Sequence, residues 1–449
     1  MKKFEGENAN TEATNIDAEN TSVASFAVSS EEFTETELAE VIETSDAVEV
    51  PNEKALKKAE KEKLREEKKL KKLAKKQKPE DAAEAAAPEQ AAAEAAPVAE
   101  AEAPATVAVT EEAELPELPD IPVSPENAEK VQRFSAAVST IKKELSKDVV
   151  GMEDIVDNVL CAIVAGGNVL LEGVPGVGKT RLVRALGKTM SLSFSRIQFT
   201  PDLMPSDVTG TNIIEKDESG KMNTVFQRGP IFANLVLADE INRATPKTQS
   251  AMLEVMQEHK VTVAKQTYRL AEPFFVLATQ NPIEQDGTYP LPEAQMDRFM
   301  FKLIVNFPSA KDLADIVNMT QITLEETANS VIDGATIMEM RELAKSVPVI
   351  DAVLDWTVNL VSNTHPELDK TSATAKKYIR YGASPRAAQA LITCAKVRAL
   401  MNGKFNVSYN DIKALAYPVL RHRIKLNYSA ISDKLTVDDV IKQLISETK

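Results

Sequence analysis

The stretch Gly173-Val174-Pro175-Gly176-Val177-Gly178-Lys179-Thr180 is the strongest indication of the fold of this chain. It carries the two glycines, the lysine and the threonine of the phosphate-loop pattern at the required spacing. The mostly apolar residues 168–172 before it predict a buried strand, and residues 181–190 after it predict a helix. Glycines let successive backbone N–H groups turn toward phosphate oxygens, and the start of a helix adds partial positive charge. The stretch therefore predicts a nucleotide-binding site.

Each residue type within the stretch has a chemical task. The Lys179 ammonium reaches the β- and γ-phosphates, and the Thr180 hydroxyl is placed to bind Mg²⁺. The residues that we expect to contact the nucleotide here are Gly173, Pro175, Gly176, Val177, Gly178, Lys179, Thr180 and Arg181.

Two carboxylates, Asp239 and Glu240, follow the apolar run at 234–238. Because ligands of parallel sheets bind at the carboxyl ends of the strands, we expect this pair beside the phosphate loop. Asp239 would bind Mg²⁺ indirectly, through a water molecule of the metal's coordination shell. Glu240 would polarise the attacking water as the general base.

The mostly apolar run at 274–279 is followed by a polar tip that includes Asn281. Its side chain would orient the hydrolytic water or touch the γ-phosphate. Asn281 also precedes Pro282, and Asn-Pro is a common turn. The two roles are compatible, so Asn281 is a candidate catalytic residue.

Composition narrows the class of protein. The chain has 449 residues, with 68 acidic against 53 basic residues and a net charge of −15, which argues against a general nucleic-acid binder. Cys161 and Cys394 lie in apolar contexts and are expected to be buried, reduced thiols. The first residues carry no apolar leader, and no run is long enough to span a bilayer, so we expect a cytoplasmic protein.

The chain divides into three parts by composition. Residues 1–125 are acidic, then Lys/Glu-rich, then Ala/Pro/Glu-rich, which predicts a disordered low-complexity tail. The Lys/Glu block at 54–78 has two interpretations: a charged spacer, which we favour, or a docking segment for an anionic membrane or an acidic partner. Residues 126–308 predict an α/β core, and residues 309–449 predict a helical subdomain.

Apolar runs recur through the core at wide spacing, with room for helices between them. This alternation predicts a parallel sheet flanked by helices. The runs are 168–172, 194–199, 234–238, 274–279 and 299–305. Two further pairs of short runs, at 213–226 and 260–270, predict hairpins.

The ordered set of phosphate loop, Asp239-Glu240 and Asn281 resembles the AAA+ ATPases. Longer phrases resemble the MoxR family of AAA+ proteins, relatives of the magnesium-chelatase ATPase subunits, over about 130–430. These phrases lie at 166–173, 198–207, 227–232, 239–244, 279–282, 291–299 and 384–387. The resemblance implies ATP and Mg²⁺ as cofactors, and an α/β core followed by a helical lid.

The resemblance also implies a ring of identical subunits, usually a hexamer, with ATP bound between protomers. It assigns an arginine finger to Arg298, and the other interpretation of Arg298 is an ion pair with Asp297 or Glu293. Arg228 and Arg243 are the other candidates for a contact across the ring.

Two further sites follow from the same resemblance. Arg386 matches the sensor-2 position, which couples the lid to the nucleotide. Val150 and Gly151 match the segment that borders the adenine.

The resemblance implies an ATPase that hydrolyses ATP to ADP and phosphate and remodels, matures or inserts metal or cofactor into a partner protein. Relatives often act with von Willebrand factor A-domain proteins. In relatives the two hairpins face the pore or the partner, and the other interpretation is that they are ordinary solvent-exposed hairpins. Two alternatives stay open. One is a nucleotide-gated assembly scaffold with incidental hydrolysis. The other is a DNA-remodelling ATPase, against which the acidic balance speaks, so we expect no specific nucleic acid as a partner.

Overall fold

The computed structural model describes residues 118–119, 123–216, 221–282, 288–322 and 327–448. Most of the predicted tail, including the block at 54–78, lies outside the described residues, and so does the tip of the first hairpin at 217–220. Helix α1 begins at Pro125, where the Ser124 side chain accepts a hydrogen bond from the Asn127 backbone N–H. Among the described residues, this first helix begins one residue before position 126, where composition predicted the start of the core.

Five parallel strands form the central sheet, in the order β2-β5-β8-β1-β9. This confirms the predicted parallel sheet, and each predicted run supplies one strand. The strands are β1 Val169–Gly173, β2 Phe194–Gln198, β5 Leu235–Asp239, β8 Phe275–Gln280 and β9 Phe301–Val305. Because all five run in one direction, their carboxyl ends share one edge of the sheet and their amino ends share the other.

Helices cover both faces of this sheet. They are α1 Pro125–Leu145, α2 Glu153–Ala165, α3 Lys179–Thr189, α4 Pro205–Thr209, α5 Pro246–Glu258 and α6 Glu293–Met296. Successive residues of a strand point to opposite faces. In β5, Leu235 and Leu237 join the core that contains α1, α2 and α3, whereas Val236 and Ala238 join the core that contains α5.

Both predicted hairpins are present. The first pairs β3 Gly210–Lys216 with β4 Met222–Arg228, and the second pairs β6 Lys260–Val263 with β7 Gln266–Arg269. The Phe226 ring stacks on the Tyr268 ring at a centroid distance of 4.2 Å. The two hairpins are therefore joined by an aromatic contact.

The chain after β9 is mainly helical, as predicted for the lid. The helices are α7 Ala310–Ile322, α8 Gly334–Ser346, α9 Asp351–Ser362, α10 Ala373–Tyr378, α11 Pro385–Met401, α12 Tyr409–Leu420, α13 Tyr428–Ser432 and α14 Val437–Glu447. A short antiparallel pair, β10 Ile379–Tyr381 with β11 Lys425–Leu426, was not predicted from the sequence. Strands of two or three residues are too short to show an alternating pattern.

Packing joins this helical part to the core. Cys161 on α2 and Cys394 on α11 are both buried and free, as expected, and the Cys161 thiol donates to the Cys394 carbonyl at 3.3 Å. Burial raises the pKa of the Cys394 thiol well above its usual value, so it stays protonated. Among the described helices, none is both long enough and apolar enough to cross a membrane.

Candidate nucleotide site

The carboxyl edge of the sheet gathers the chemistry that the sequence predicted. The phosphate loop follows Gly173 at the end of β1, Asp239 ends β5, and Asn281 comes directly after β8. These strands are neighbours in the order β5-β8-β1. The sheet therefore brings the phosphate loop, the acid pair and Asn281 to one side of the molecule.

The loop has a backbone that only glycine adopts readily. Gly176 and Gly178 have φ angles of +83° and +87°, in the left-handed region, and Gly178 caps the start of α3. A Cβ at Gly173 would lie 2.6 Å from the Val305 carbonyl oxygen on β9. The turn and the close approach of the two strands thus explain the glycines of the motif.

The Lys179 side chain folds back onto the loop. Its Nζ donates to the carbonyls of Gly173 at 2.5 Å and Val174 at 3.3 Å. Burial lowers the pKa of Lys179, and the nearby carboxylates of Asp239 and Glu240 act in the opposite direction. The ammonium thus lies within the electrostatic field of both carboxylates.

The Asp239 carboxylate is held on both oxygens. Oδ1 accepts from the Thr279 hydroxyl at 2.6 Å, and Oδ2 accepts from Arg196 Nη2 at 2.6 Å and Nε at 3.0 Å. Thr279 lies on β8 and Arg196 on β2, the two strands that flank β5. An oxygen donor of this type suits Mg²⁺, and one already engaged by two side chains suits a contact through a metal-bound water. Thr180 supplies a second oxygen donor at the same edge.

The Glu240 carboxylate is also held, by different partners. Its Oε2 accepts from Gln198 Nε2 at 2.9 Å and from Arg243 Nη1 at 3.0 Å. Its backbone has a φ of +57° and a ψ of +49°, and its N–H donates to the Thr279 hydroxyl at 2.8 Å. The backbone therefore turns away from the direction of the strand at Glu240. Arg243, a candidate for a contact across the ring, pairs with Glu240 of its own chain.

Arg196, Gln198 and Thr279 were not predicted as site residues from the sequence. Arg196 and Gln198 are polar residues at alternate positions of β2, an edge strand, where they resemble ordinary solvent-facing residues. Thr279 is a hydroxyl inside an apolar run. A signal was available in the position of Gln198 and Thr279 near strand carboxyl ends, where ligands of parallel sheets bind.

A cavity of about 280 Å³ adjoins the loop. Its lining includes Val150, Gly151, Pro175, Gly176, Val177, Gly178 and Arg181, which the sequence analysis assigned to the nucleotide. Its other wall comes from Phe307 after β9 and from Leu313, Ile316 and Met319 on α7, which were not predicted. Phe307 is 70% exposed. An apolar cavity with an exposed aromatic ring at a phosphate loop suits a nucleotide base.

Asp148 lines this cavity and is hydrogen-bonded to the chain that follows α7. Its carboxylate accepts from the backbone N–H groups of Thr327 and Ala328, each at 2.8 Å, and from Arg181 at 3.4 Å. Burial alone would raise the pKa of Asp148, but these hydrogen bonds and the Arg181 charge outweigh it and hold the pKa below its usual value. The carboxylate therefore stays charged and pins both segments.

The predicted arginine finger, Arg298, and the predicted sensor-2 residue, Arg386, lie away from the phosphate loop. Arg298 and Arg386 line a second cavity of about 400 Å³, together with Gly167, Asn168 and Met300. Asn168 and Met300 immediately precede β1 and β9, so this cavity lies at the amino edge of the sheet. The five residues of β1 separate the two edges by roughly 16 Å. Arg298 and Arg386 therefore lie together, and apart from the phosphate loop of their own chain.

Arg298 does not form the ion pair with Asp297 or Glu293 that was the alternative interpretation of this residue. Its Nη1 donates to the Leu253 carbonyl at 3.0 Å. Asp297 pairs with Arg423 instead, at 2.8 Å, and Glu293 lies 3.6 Å from Lys425. Arg228, another candidate for a contact across the ring, lies over the Phe232 ring at 5.5 Å.

A phosphate loop on a parallel sheet, an acid pair at the end of another strand of that sheet and a helical lid define an ATPase module of the AAA+ class. Two family profiles agree. The profile described as "ATPase family associated with various cellular activities (AAA)" matches residues 168–301, and the "AAA lid domain" profile matches residues 371–444.

Whole-chain comparisons narrow the class to one family. The chain is 39% identical to "Chaperone MoxR1" of Mycobacterium tuberculosis, over 69% of this chain and 82% of the relative. It is 42% identical to "Uncharacterized protein YeaC" of Bacillus subtilis, over 68% of this chain and 92% of that relative. A crystal structure of a candidate ATPase from Cytophaga hutchinsonii matches with a TM-score of 0.67 at 39% identity, over 72% of this chain and 98% of that one. The chain belongs to the MoxR family of AAA+ ATPases.

Proposed function

We propose that this protein binds ATP with Mg²⁺ at the carboxyl edge of its sheet and hydrolyses it to ADP and phosphate. The observation that carries the proposal is the grouping of Lys179, Asp239 and Glu240 beside the loop and its apolar cavity. Mg²⁺, bound by Thr180 and through water by Asp239, would neutralise charge on the phosphates. The base would occupy the cavity lined by Val150 and Gly151.

The chain's own residues divide the work of hydrolysis. Lys179 leaves the loop carbonyls and binds the β- and γ-phosphates. Glu240 accepts a proton from the attacking water, and Asn281 orients that water. For Glu240 Oε2 to be the proton acceptor, it must exchange its hydrogen bonds with Gln198 and Arg243 for one to water.

The arginines complete the site of a neighbouring subunit. Because Arg298 and Arg386 lie at the amino edge, roughly 16 Å of strand separates them from their own phosphate loop. A head-to-tail ring would bring this edge against the next subunit's nucleotide, where guanidinium groups stabilise charge on the γ-phosphate. We propose such a ring, a hexamer, with both arginines acting across the interface.

The work that hydrolysis drives is proposed to be remodelling of a partner protein, and a von Willebrand factor A-domain protein is one candidate. One relative is named a chaperone. On the first hairpin, Ile214 and Met222 are 70% and 72% exposed. Exposed apolar side chains on a projecting hairpin suit contact with protein.

Replacing Glu240 with Gln tests the hydrolytic proposal. The amide keeps the shape of the side chain but cannot accept the proton, so we expect ATP to bind with an affinity near that of the wild type. Turnover is expected to fall by about 100-fold or more. Binding is measured by fluorescent-nucleotide titration and turnover by phosphate release. Glu258→Gln, at the exposed end of α5, is the matched control and should keep full turnover.

A second candidate function, the nucleotide-gated scaffold, is favoured by one observation. One oxygen of the Glu240 carboxylate, Oε2, already accepts hydrogen bonds from Gln198 and Arg243 and is thus less accessible to the attacking water. In a scaffold, ATP would drive assembly while turnover stayed slow even in complete rings. Comparing single-turnover with steady-state hydrolysis, at subunit concentrations below and above assembly, separates the two functions.

A further inference from the structure

Arg423 lies between α12 and β11, and it donates hydrogen bonds to the chain both before and after Arg298. Its Nε donates to Asp297 Oδ1 at 2.8 Å, and its Nη2 donates to the carbonyls of Asp297 at 3.2 Å and Phe299 at 2.7 Å. Its Nη1 donates to the carbonyls of Met300 at 3.2 Å and Val419 at 2.6 Å. A guanidinium has five N–H donors, and each of these has an acceptor.

Asp297 extends the same network to Arg386. The Ser384 hydroxyl, just before α11, donates to both Asp297 oxygens at 2.8 and 2.9 Å. Arg386 Nη1 lies 3.8 Å from Asp297 Oδ2. A single carboxylate thus connects Arg423, the start of α11 and Arg386, and it belongs to the residue next to Arg298.

Burial makes this network rigid. The Arg423 side chain is only 3% exposed, whereas Arg386 is about half exposed and faces the cavity. Leaving a buried guanidinium without one of its acceptors destabilises the folded protein, so the geometry of the group has little freedom. Lysine has three donors on a flexible stem and cannot replace the planar fork.

We propose that Arg423 is a positioning residue for the nucleotide site of the adjacent subunit. Through Asp297 and the carbonyls on either side of Arg298, it sets the separation and direction of Arg298 and Arg386. The two guanidinium groups are then presented together at the amino edge. This inference rests on the proposed function, because it requires that the arginines complete a neighbour's site.

The first test replaces Arg423 with Lys in the full chain. We expect kcat for ATP to fall about 10- to 100-fold, since small misplacements of a catalytic group cost this much. The Kd for nucleotide should stay within about twofold, because the phosphate loop lies at the other edge. Asp297→Asn is a second variant that keeps the side chain's shape, and it should lower kcat in the same direction.

Arg421→Lys is the matched control. Arg421 also donates to a carbonyl of this region, that of Lys302 at 3.0 Å, and it pairs with Asp438 at 2.7 Å. Its contact lies within β9, beyond Arg298. We expect Arg421→Lys to keep kcat within about twofold of the wild type, with melting temperatures measured for all variants.

The decisive measurement mixes two impaired proteins. Subunits with Arg423→Lys keep the general base Glu240, and subunits with Glu240→Gln keep an intact arginine edge. In mixed head-to-tail rings at equal amounts, roughly one interface in four joins an intact Glu240 to an intact arginine edge. Turnover is therefore expected to rise above the sum of the separate proteins. Arg298→Ala mixed with Glu240→Gln serves as the reference.

Each result has one meaning. Recovery in both mixtures supports the inference. Recovery with Arg298→Ala but not with Arg423→Lys overturns the inference and leaves the proposed ring intact. No recovery with Arg298→Ala overturns the contact across the interface itself. An Arg423→Lys protein with wild-type kcat also overturns the inference.

Discussion

At the scale of single residues, Phe307 is a candidate for recognition of the base. Phe307 is 70% exposed and lies at a cavity that adjoins the phosphate loop and is otherwise largely apolar. Stacking of a base on an aromatic ring contributes about 1–3 kcal/mol. We expect Phe307→Ala to raise the Kd for ATP by about 5- to 150-fold, measured by nucleotide titration.

Tyr428→Ala is the control for this prediction. Tyr428 is another exposed aromatic residue, 88% exposed on α13, and it does not line the cavity. Its replacement should leave the Kd unchanged. An equal loss of affinity in both variants, or in neither, would contradict base stacking by Phe307.

The single residues of the site were predictable to different degrees. The glycines, Lys179 and Asp239 follow from local spacing, because a phosphate loop and a strand end are local features. The Arg196–Asp239 pair depends on the register of β2 against β5, and the Arg423–Asp297 pair joins residues 126 positions apart. Neither pairing has a local signal, since both arise from tertiary packing.

At the scale of secondary-structure elements, the contact between the two hairpins makes a specific prediction. The Phe226–Tyr268 stack, with Phe232 edge-on to both rings, joins them. We expect Tyr268→Ala to increase hydrogen exchange of the β3 and β4 amides, because a paired hairpin alone is only marginally stable. Hydrogen-exchange mass spectrometry measures this change.

Thr262→Ala is the companion variant. The Thr262 hydroxyl lies 3.1 Å from that of Thr267, across β6 and β7, so the change affects the second hairpin only. Exchange in β3 and β4 should then match the wild type. If Tyr268→Ala leaves that exchange unaltered, the stack does not stabilise the first hairpin.

The elements themselves were largely predictable from sequence. Apolar runs separated by helix-length segments predicted the parallel sheet, and each run supplied a strand. The order β2-β5-β8-β1-β9 was not predicted, because run spacing carries no information about which strands pair. The β10–β11 pair was missed because its strands have two or three residues.

At the scale of the whole molecule, His422 predicts how stability depends on pH. Burial, and then the charge of Arg423, hold the pKa of His422 well below its usual 6.5. The unfolded chain therefore takes up a proton below about pH 6.5 that the folded chain does not. The free energy of unfolding should fall with decreasing pH there, by up to about 1.4 kcal/mol per unit from this residue.

His422→Gln isolates this contribution. The His422 ring donates from Nε2 to the Phe299 carbonyl at 3.0 Å, and a glutamine amide retains a donor without titrating. Urea unfolding at pH 7.5, 6.5 and 5.5 should show a flatter pH dependence for the variant. Parallel curves for the two proteins would mean that His422 contributes nothing to the slope.

The opposite placement of phosphate loop and arginines has a consequence for assembly. In the proposed arrangement, an open row of subunits has two unlike ends. One terminal subunit holds a nucleotide that no arginine reaches, and the other presents arginines to solvent. Only closure gives every subunit a complete site, so turnover per subunit would report whether the row has closed. A single subunit lacking its arginine edge would then silence its neighbour rather than itself.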